Sequence, residues 1–309
     1  MSRFINIGIM QYEVSKDTDK NIEKIRENVE ILMSGMNRPE VILGPELGIG
    51  LYSLDTIPGK ITDKLGEIAN KHGIYLLPGS MRERALCDGK EIIYNTMPIF
   101  GPNGELIDIY RKICPYYPIE SAVTSGESYV IVDIKEKDIK LGVMICHDWC
   151  FPEIARNLTL LGAEILIRPA IDPEGLYESF KYVPSVRALE NQAYFISLNA
   201  VGFSAGIYAY GHSMIADPEG RIIYEAGRNE INHCITLDAD FVRRNREQGT
   251  FFTEQLVRQL NLFKIPMPFA DDISAAPIFK TLPPADNNLH ERFDKMKAIG
   301  LNDKIGKVK

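Results

Sequence analysis

The sequence predicts a mixed α/β fold in which two β-sheets pack face to face with helices outside. Three observations predict it. The chain opens on a strand–helix–strand unit, which implies parallel pairing through a crossover helix. Hairpin turns recur between later strands, so the sheets are mixed. About a dozen strand patterns precede residue 264 without a domain break, more than one twisted sheet holds comfortably. Packing a second sheet on the first solves the burial problem.

The elements follow in order. Residues 4–12 (FINIGIMQY) alternate as a strand. Ile22, Ile25, Val29 and Leu32 share one face of a helix over 18–34, capped by Asp17 or Thr18. Residues 40–47 (EVILGPEL) complete the crossover unit as a buried strand. A helix over 61–72 stops at Gly73. Strands at 74–77 and 92–99 come next, and Pro102-Asn103-Gly104 turns the chain into a strand at 106–112. Residues 129–134 and 139–146 form a second hairpin. Pro152 sits in the first turn of a helix over 152–161 and Gly162 follows its end. AEILIR (163–168) is again a buried strand, and a helix near 185–193 leads to the strand 194–200. The turn Asp217-Pro218-Glu219-Gly220 joins strands near 212–216 and 221–225, a further strand is expected at 233–237, and 239–262 reads as mostly helical. Residues 1–263 are therefore expected to form one domain. From 264 to 309 the chain is rich in proline and loses its period. Phe269, Ile278 and Phe279 are apolar anchors that point to packing of this extension on the domain or on a partner subunit.

Composition narrows the function classes. The chain has 309 residues, 35 Lys+Arg against 42 Asp+Glu, and 45% apolar residues, as in an ordinary globular protein. A chain of this length buries enough surface to fold without disulfides or a structural metal. The acidic balance argues against a sequence-independent nucleic-acid binder. No apolar stretch approaches the roughly 18 residues needed to cross a bilayer. MSRFINIGIMQYEVSKD has no charged start followed by a long apolar run, so no secretory signal is expected. Five cysteines at irregular spacing fit reduced cytoplasmic thiols. Asn157-Leu158-Thr159 then matches a glycosylation acceptor only by chance. Cys146 and Cys150 find no second pair of ligands and there is no His-Glu-x-x-His, so neither a metal nor another cofactor is expected.

Four residues carry candidate chemistry. Cys146 ends a strand, and a helix starts about six residues later. Free backbone N–H groups and a helix N-terminus there would lower a thiol's pKa and offer donors to an oxyanion. The competing reading is a buried inert thiol. Glu46 ends the apolar run VILGPE, and a carboxylate there needs a partner or solvent. Lys112 ends the strand ELIDIYRK, and Glu120 follows eight residues later in CPYYPIE. Taken alone, Glu46 and Lys112 read as solvated side chains and Glu120 as a surface residue in a proline-shaped loop. Together, Glu46, Lys112 and Cys146 sit at the C-terminal ends of predicted strands, the edge where α/β sheets bind ligands. An acid, an amine and a thiol meeting there make a base, a cationic stabiliser and a nucleophile.

GPELGIG with Glu46, YRKICPYYPIE with Lys112 and VMICHDWCFPEIAR with Cys146 resemble the three motifs of the nitrilase superfamily of carbon–nitrogen hydrolases. Chain order, spacing and strand-end placement all match. YAYGHSMIADPEGRIIYEAG is similar to the aliphatic amidase and formamidase branch. The resemblance spans residues 4–262 and implies an αββα sandwich that pairs into dimers or larger homo-oligomers. It also implies a Glu–Lys–Cys triad, with Glu120 as the second glutamate of the amidase branch. One departure is Trp149, where small-amide members usually carry glycine.

The resemblance implies hydrolysis of a small non-peptide amide to a carboxylic acid and ammonia. Glu46 would take the Cys146 proton, Lys112 and the His147 backbone N–H would hold the oxyanion, and a thioester would be hydrolysed by water. Glu120 would hold the amide nitrogen and keep Lys112 charged. Tyr116, Tyr117, His147, Trp149 and Phe151 are candidate pocket walls; ordinary core packing is the alternative for Tyr116, Tyr117, Trp149 and Phe151. His147 follows Cys146 on an extended strand and so points to the opposite face, which makes it a poor base. Carbamoyl compounds and nitriles are the alternative substrates within this chemistry. A thiol-redox protein using Cys146 and Cys150 is the alternative of another class, and a catalytically silent scaffold a third.

Overall fold

The structure is a computed structural model that describes residues 3–280 apart from Asp88, Pro118, Phe251 and Met267. Among the described residues, the first sheet contains β1 (Phe4–Gln11), β2 (Val41–Leu43), β3 (Gly50–Asp55), β4 (Tyr75–Leu77), β5 (Met81–Cys87), β6 (Lys90–Phe100) and β7 (Leu106–Arg111). The second contains β8 (Val130–Ile134), β9 (Ile139–Val143), β10 (Ile165–Ala170) and β11 (Tyr194–Asn199). A separate ribbon pairs β12 (Val201–Ser204) with β13 (Ile207–Tyr210). β14 (Met214–Ala216) and β15 (Ile222–Glu225) return to the second sheet, and β16 (Ile231–Asp238) to the first. The first sheet runs β16-β1-β2-β4-β6-β5-β3 with β7 paired to β6; the second runs β15-β14-β11-β10-β9-β8.

The helices are α1 (Thr18–Ser34), α2 (Lys60–His72), α3 (Pro152–Leu160), α4 (Tyr177–Phe180), α5 (Val183–Asn191), α6 (Ala239–Gln248) and α7 (Leu256–Phe263). Asp17 caps α1 by accepting from the N–H groups of Asp19 and Lys20. Gly73 ends α2 at φ 63°, a left-handed conformation that costs glycine little.

Four layers result. Ile5, Ile7, Ile9, Val41, Leu77 and Ile99 of the first sheet face Val132, Leu141, Ile165, Ile167 and Ile196 of the second in one apolar cluster. Alternation along each strand sends these side chains inward and their neighbours outward. The outer face of the first sheet meets Ile22, Ile25 and Val29 of α1 and Leu65 and Ile68 of α2. The outer face of the second meets Ile154 and Leu158 of α3 and Ala188 of α5. The fold is the expected αββα sandwich, with more strands than predicted.

Four strands escaped the sequence reading: β3, β5, β12 and β13. In β5 Glu83 is buried beside Met81 on the helix-side face, paired with Arg111 and Thr96. A charge at a buried position hides the apolar period. β12 and β13 are joined through Ala205 and Gly206, both at positive φ, which suits a tight two-residue hairpin. The predicted strands 40–47 and 139–146 are shorter than expected, ending at Leu43 and Val143. The long helix expected over 239–262 breaks into α6 and α7, because Gly249 sits at φ 90°. Of the C-terminal extension, residues 281–309 lie outside the described residues. Phe269, Ile278 and Phe279 retain 37%, 59% and 48% of their surface in the single chain.

Candidate active site

Parallel pairing aims the C-terminal ends of β2 and β4 in one sheet, and of β9, β10 and β11 in the other, at a common edge. The side chains that matter leave these ends. Glu46 lies three residues beyond β2, Lys112 directly follows β7, and Cys146 lies three residues beyond β9. Cys146 does not end a strand, as the sequence implied. It opens a 3₁₀ turn over Cys146–Cys150 and adopts φ 46°, a conformation few side-chain-bearing residues take.

The first group centres on Lys112, which is 1% exposed. Its Nζ donates to Glu46 Oε1 at 2.8 Å and to Glu120 Oε2 at 2.7 Å. An ammonium has three protons, so one is left for a ligand. Burial alone would weaken this charge; the Glu46, Cys146 and Glu120 charges outweigh it and hold the pKa up. Glu120 also accepts from Tyr116 N at 2.7 Å, Arg82 Nη1 at 2.8 Å and Asn95 Nδ2 at 3.0 Å. Burial opposes its ionisation, but Lys112 and Arg82 prevail and depress it to about 2. With four donors, a carboxylate's roughly four acceptor sites are filled. Glu120 therefore anchors Lys112 and has no site free for a substrate nitrogen, so only one of its two expected roles fits.

Glu46 differs. Oε1 accepts from Lys112 and from Asn95 Nδ2 at 3.0 Å, while Oε2 accepts only Ile171 N at 3.1 Å. One acceptor site on Oε2 remains open. The Cys146 thiol is pushed up, first by burial and then by the Glu46 charge, against Lys112. This reverses the sequence expectation of a lowered thiol pKa: burial and the neighbouring carboxylates Glu46 and Asp172 outweigh the nearby cations. A thiol held protonated needs a base at the moment of attack, and Glu46 is the carboxylate with room for its proton.

The second group lies on the other sheet. Arg168, within β10, is fully buried and binds Asp172 at 2.5 and 2.8 Å. It also donates from Nε to the Cys146 carbonyl at 3.0 Å. Asp148 ties the turn at Cys146 to the segment that follows Lys112. It accepts from Ile145 N, Cys114 N and Tyr110 OH at 2.7–2.8 Å. Burial raises Asp148 to about 6 despite the Tyr110 hydrogen bond.

The cleft beside Cys146 has a volume of about 30 Å³. Of the predicted walls, Tyr116, His147 and Trp149 line it; Tyr117 and Phe151 do not, and both are more than a third exposed. Trp149 is 1% exposed and packs on Phe180 and Phe195, so it is a core residue whose edge reaches the cleft. His147 lines the cleft with its Nδ1 at 3.3 Å from the Cys114 carbonyl. Cys150 shares the cleft with Cys146, but burial raises its pKa too. Among the described residues no cluster of three or more His, Cys, Asp or Glu is arranged to hold a metal.

Sequence reasoning missed Arg82, Asn95, Asp148, Arg168 and Asp172. Arg168 carried a usable signal: it is a charge within the apolar run AEILIR, the same anomaly that singled out Glu46 and Lys112. Asn95 carried none, since an asparagine in a strand is ordinary until its neighbours are known.

The family profile described as carbon-nitrogen hydrolase matches residues 6–246. A Bacillus cereus formamidase is 29% identical over 74% of this chain and 70% of its own length. An omega-amidase from Xenopus tropicalis is 31% identical over 80% of this chain and 93% of its own. A crystal structure of a nitrilase-superfamily member from Saccharomyces cerevisiae superposes with a TM-score of 0.71 at 28% identity, covering 79% of this chain and 93% of that one.

Proposed function

The chain belongs to the carbon–nitrogen hydrolase family, and on that premise we propose that it hydrolyses a small linear amide to a carboxylic acid and ammonia through a thioester on Cys146. One observation carries the reading: a buried ammonium, Lys112, bridges Glu46 and Glu120, and Glu46 Oε2 accepts from Ile171 N, one residue before Asp172, whose Oδ1 stands 3.8 Å from the Cys146 sulfur. Its formamidase and omega-amidase relatives support amide hydrolysis in general.

The steps follow from the open valences. Glu46 Oε2 takes the thiol proton as sulfur attacks the amide carbon. The free proton of Lys112, with the His147 backbone N–H, stabilises the resulting oxyanion. Protonated Glu46 passes its proton to the nitrogen, the C–N bond breaks and ammonia leaves. Glu46 then takes a proton from water, whose oxygen attacks the thioester, and carboxylic acid and free thiol are regenerated. Glu120 keeps Lys112 charged and in place throughout.

The cleft favours a short acyl group. Its volume of about 30 Å³ holds roughly two water molecules. Arg168 is bound by Asp172 and is not free to receive a substrate carboxylate. Short aliphatic amides are therefore preferred over carbamoyl amino acids. The thiol-redox alternative lacks a lowered thiol: burial pushes Cys114, Cys146 and Cys150 all upward. Pairing of two copies belongs to the same proposal. Exposed Leu160, Leu161, Val186 and Leu189 at the ends and faces of α3 and α5 are its natural site.

The test is ammonia release from amides, carbamoyl compounds and nitriles, with intact-mass detection of an acyl adduct. Short amides should turn over and label the wild type, while Cys146→Ala should retain its fold and do neither. Full turnover by Cys146→Ala would end the proposal.

A further inference from the structure

We propose that Arg168 is a positioning residue for Cys146, and that Trp149 is the platform on which Arg168 is held. The proposal rests on the reading of Cys146 as the nucleophile. It begins from the backbone. Cys146 is not glycine, yet it sits at φ 46°. Such a conformation persists only where the surroundings fix it. Two hydrogen bonds bracket this residue. On one side, Ile145 N donates to Asp148 Oδ2 at 2.8 Å. On the other, the Cys146 carbonyl accepts from Arg168 Nε at 3.0 Å. Arg168 thus holds the turn from β10, the parallel neighbour of the strand β9 that leads into Cys146.

Arg168 is itself fixed on every side. Its guanidinium carbon lies over the Trp149 indole, 3.4 Å from the ring centroid. Asp172 grips both terminal nitrogens, and Ser197 Oγ accepts from Nη1 at 3.2 Å. Asp172 is held in turn by Tyr210 OH at 3.0 Å and donates its own N–H to Asn199 Oδ1 at 2.8 Å. Only an arginine can present a planar face to an indole, a fork to a carboxylate and an inner N–H to a carbonyl at once. Arg168 Nη2 also stands 3.8 Å from the Cys146 sulfur, as does Asp172 Oδ1. These two charges oppose each other at the thiol, so the pair serves mainly to place the sulfur. The tryptophan that departs from the usual glycine at position 149 thereby supports this arginine.

The test compares Arg168→Lys, Trp149→Phe and Trp149→Ala with wild type and Cys146→Ala. Arg168→Lys keeps a cation for Asp172 but cannot stack, fork and reach the carbonyl together. Its kcat should fall roughly 100-fold, the cost of displacing a reacting atom by about 1 Å, while KM stays within about threefold. Alkylation of Cys146 by iodoacetamide, followed by intact mass, should slow in parallel. Trp149→Ala leaves the ion pair intact and so tests the idea independently of Arg168→Lys folding. It should lose more kcat than Trp149→Phe, which preserves an aromatic face. Wild-type kcat in Arg168→Lys, or a raised KM at unchanged kcat, would overturn the positioning role. Equal kcat in Trp149→Ala and wild type would overturn the platform. Activity persisting in Cys146→Ala would instead refute the nucleophile assignment on which both depend.

Discussion

Replacing Glu120 by glutamine isolates the element that holds Lys112. The carboxylate accepts from Lys112, Tyr116 N, Arg82 and Asn95 at 2.7–3.0 Å. Glutamine has one oxygen and one NH₂ group, so two of the four donors would meet another donor. Glu120 is depressed from 4.5 to about 2, and each unit is worth 1.36 kcal/mol, giving about 3 kcal/mol. The direction is fixed by the sign of the shift. A carboxylate with a depressed folded-state pKa contributes its stability above 4.5 and loses it as pH falls through about 2. At pH 7 the variant should unfold at a urea midpoint about 1 M lower, for a slope near 3 kcal/mol/M. The gap should narrow as the pH is lowered from 4.5 towards 2. Turnover at pH 7 should fall by roughly 100-fold if the same 3 kcal/mol is lost from the transition state. Equal stability at pH 7, or a gap that widens on acidification, would refute the four-donor account of Glu120.

Other perturbations test neighbouring links. Lys112→Met strips the cation from two buried carboxylates and should cost about 3–5 kcal/mol in urea unfolding along with all measurable ammonia release. Tyr110→Phe removes one hydrogen bond to Asp148 and should cost about 1–3 kcal/mol. That bond favours the ionised carboxylate, which titrates at about 6, so the cost should be larger at pH 8 than at pH 5 when thermal melts are compared. Asp17→Ala removes the cap of α1 and should lower stability by about 1 kcal/mol without changing kcat.

Glu46, Lys112 and Cys146 were visible in the sequence because each places chemistry beside an apolar strand. The periods of α1 and α2 and the stop at Gly73 were visible because they are local. Glu83 concealed β5, since its partner Arg111 lies 28 positions away and the pairing is not a periodic feature. Trp149 lies within the 3₁₀ turn and Phe151 directly follows it, yet one is core and the other exposed.

The sequence by itself determined which segments become strands and helices for most of the chain, and which reactive groups follow the strands. Hydrophobic period, caps and turn residues act over a few positions, so they can be read along the chain. The tertiary structure alone decided that Glu120 is filled with donors while Glu46 keeps an open site. It also decided that the Cys146 thiol is raised and that Arg168 reaches it from the neighbouring strand β10 of the same sheet. These are consequences of burial and of distances between residues far apart in the chain, and the strength of a charge depends on what surrounds it once water has been excluded.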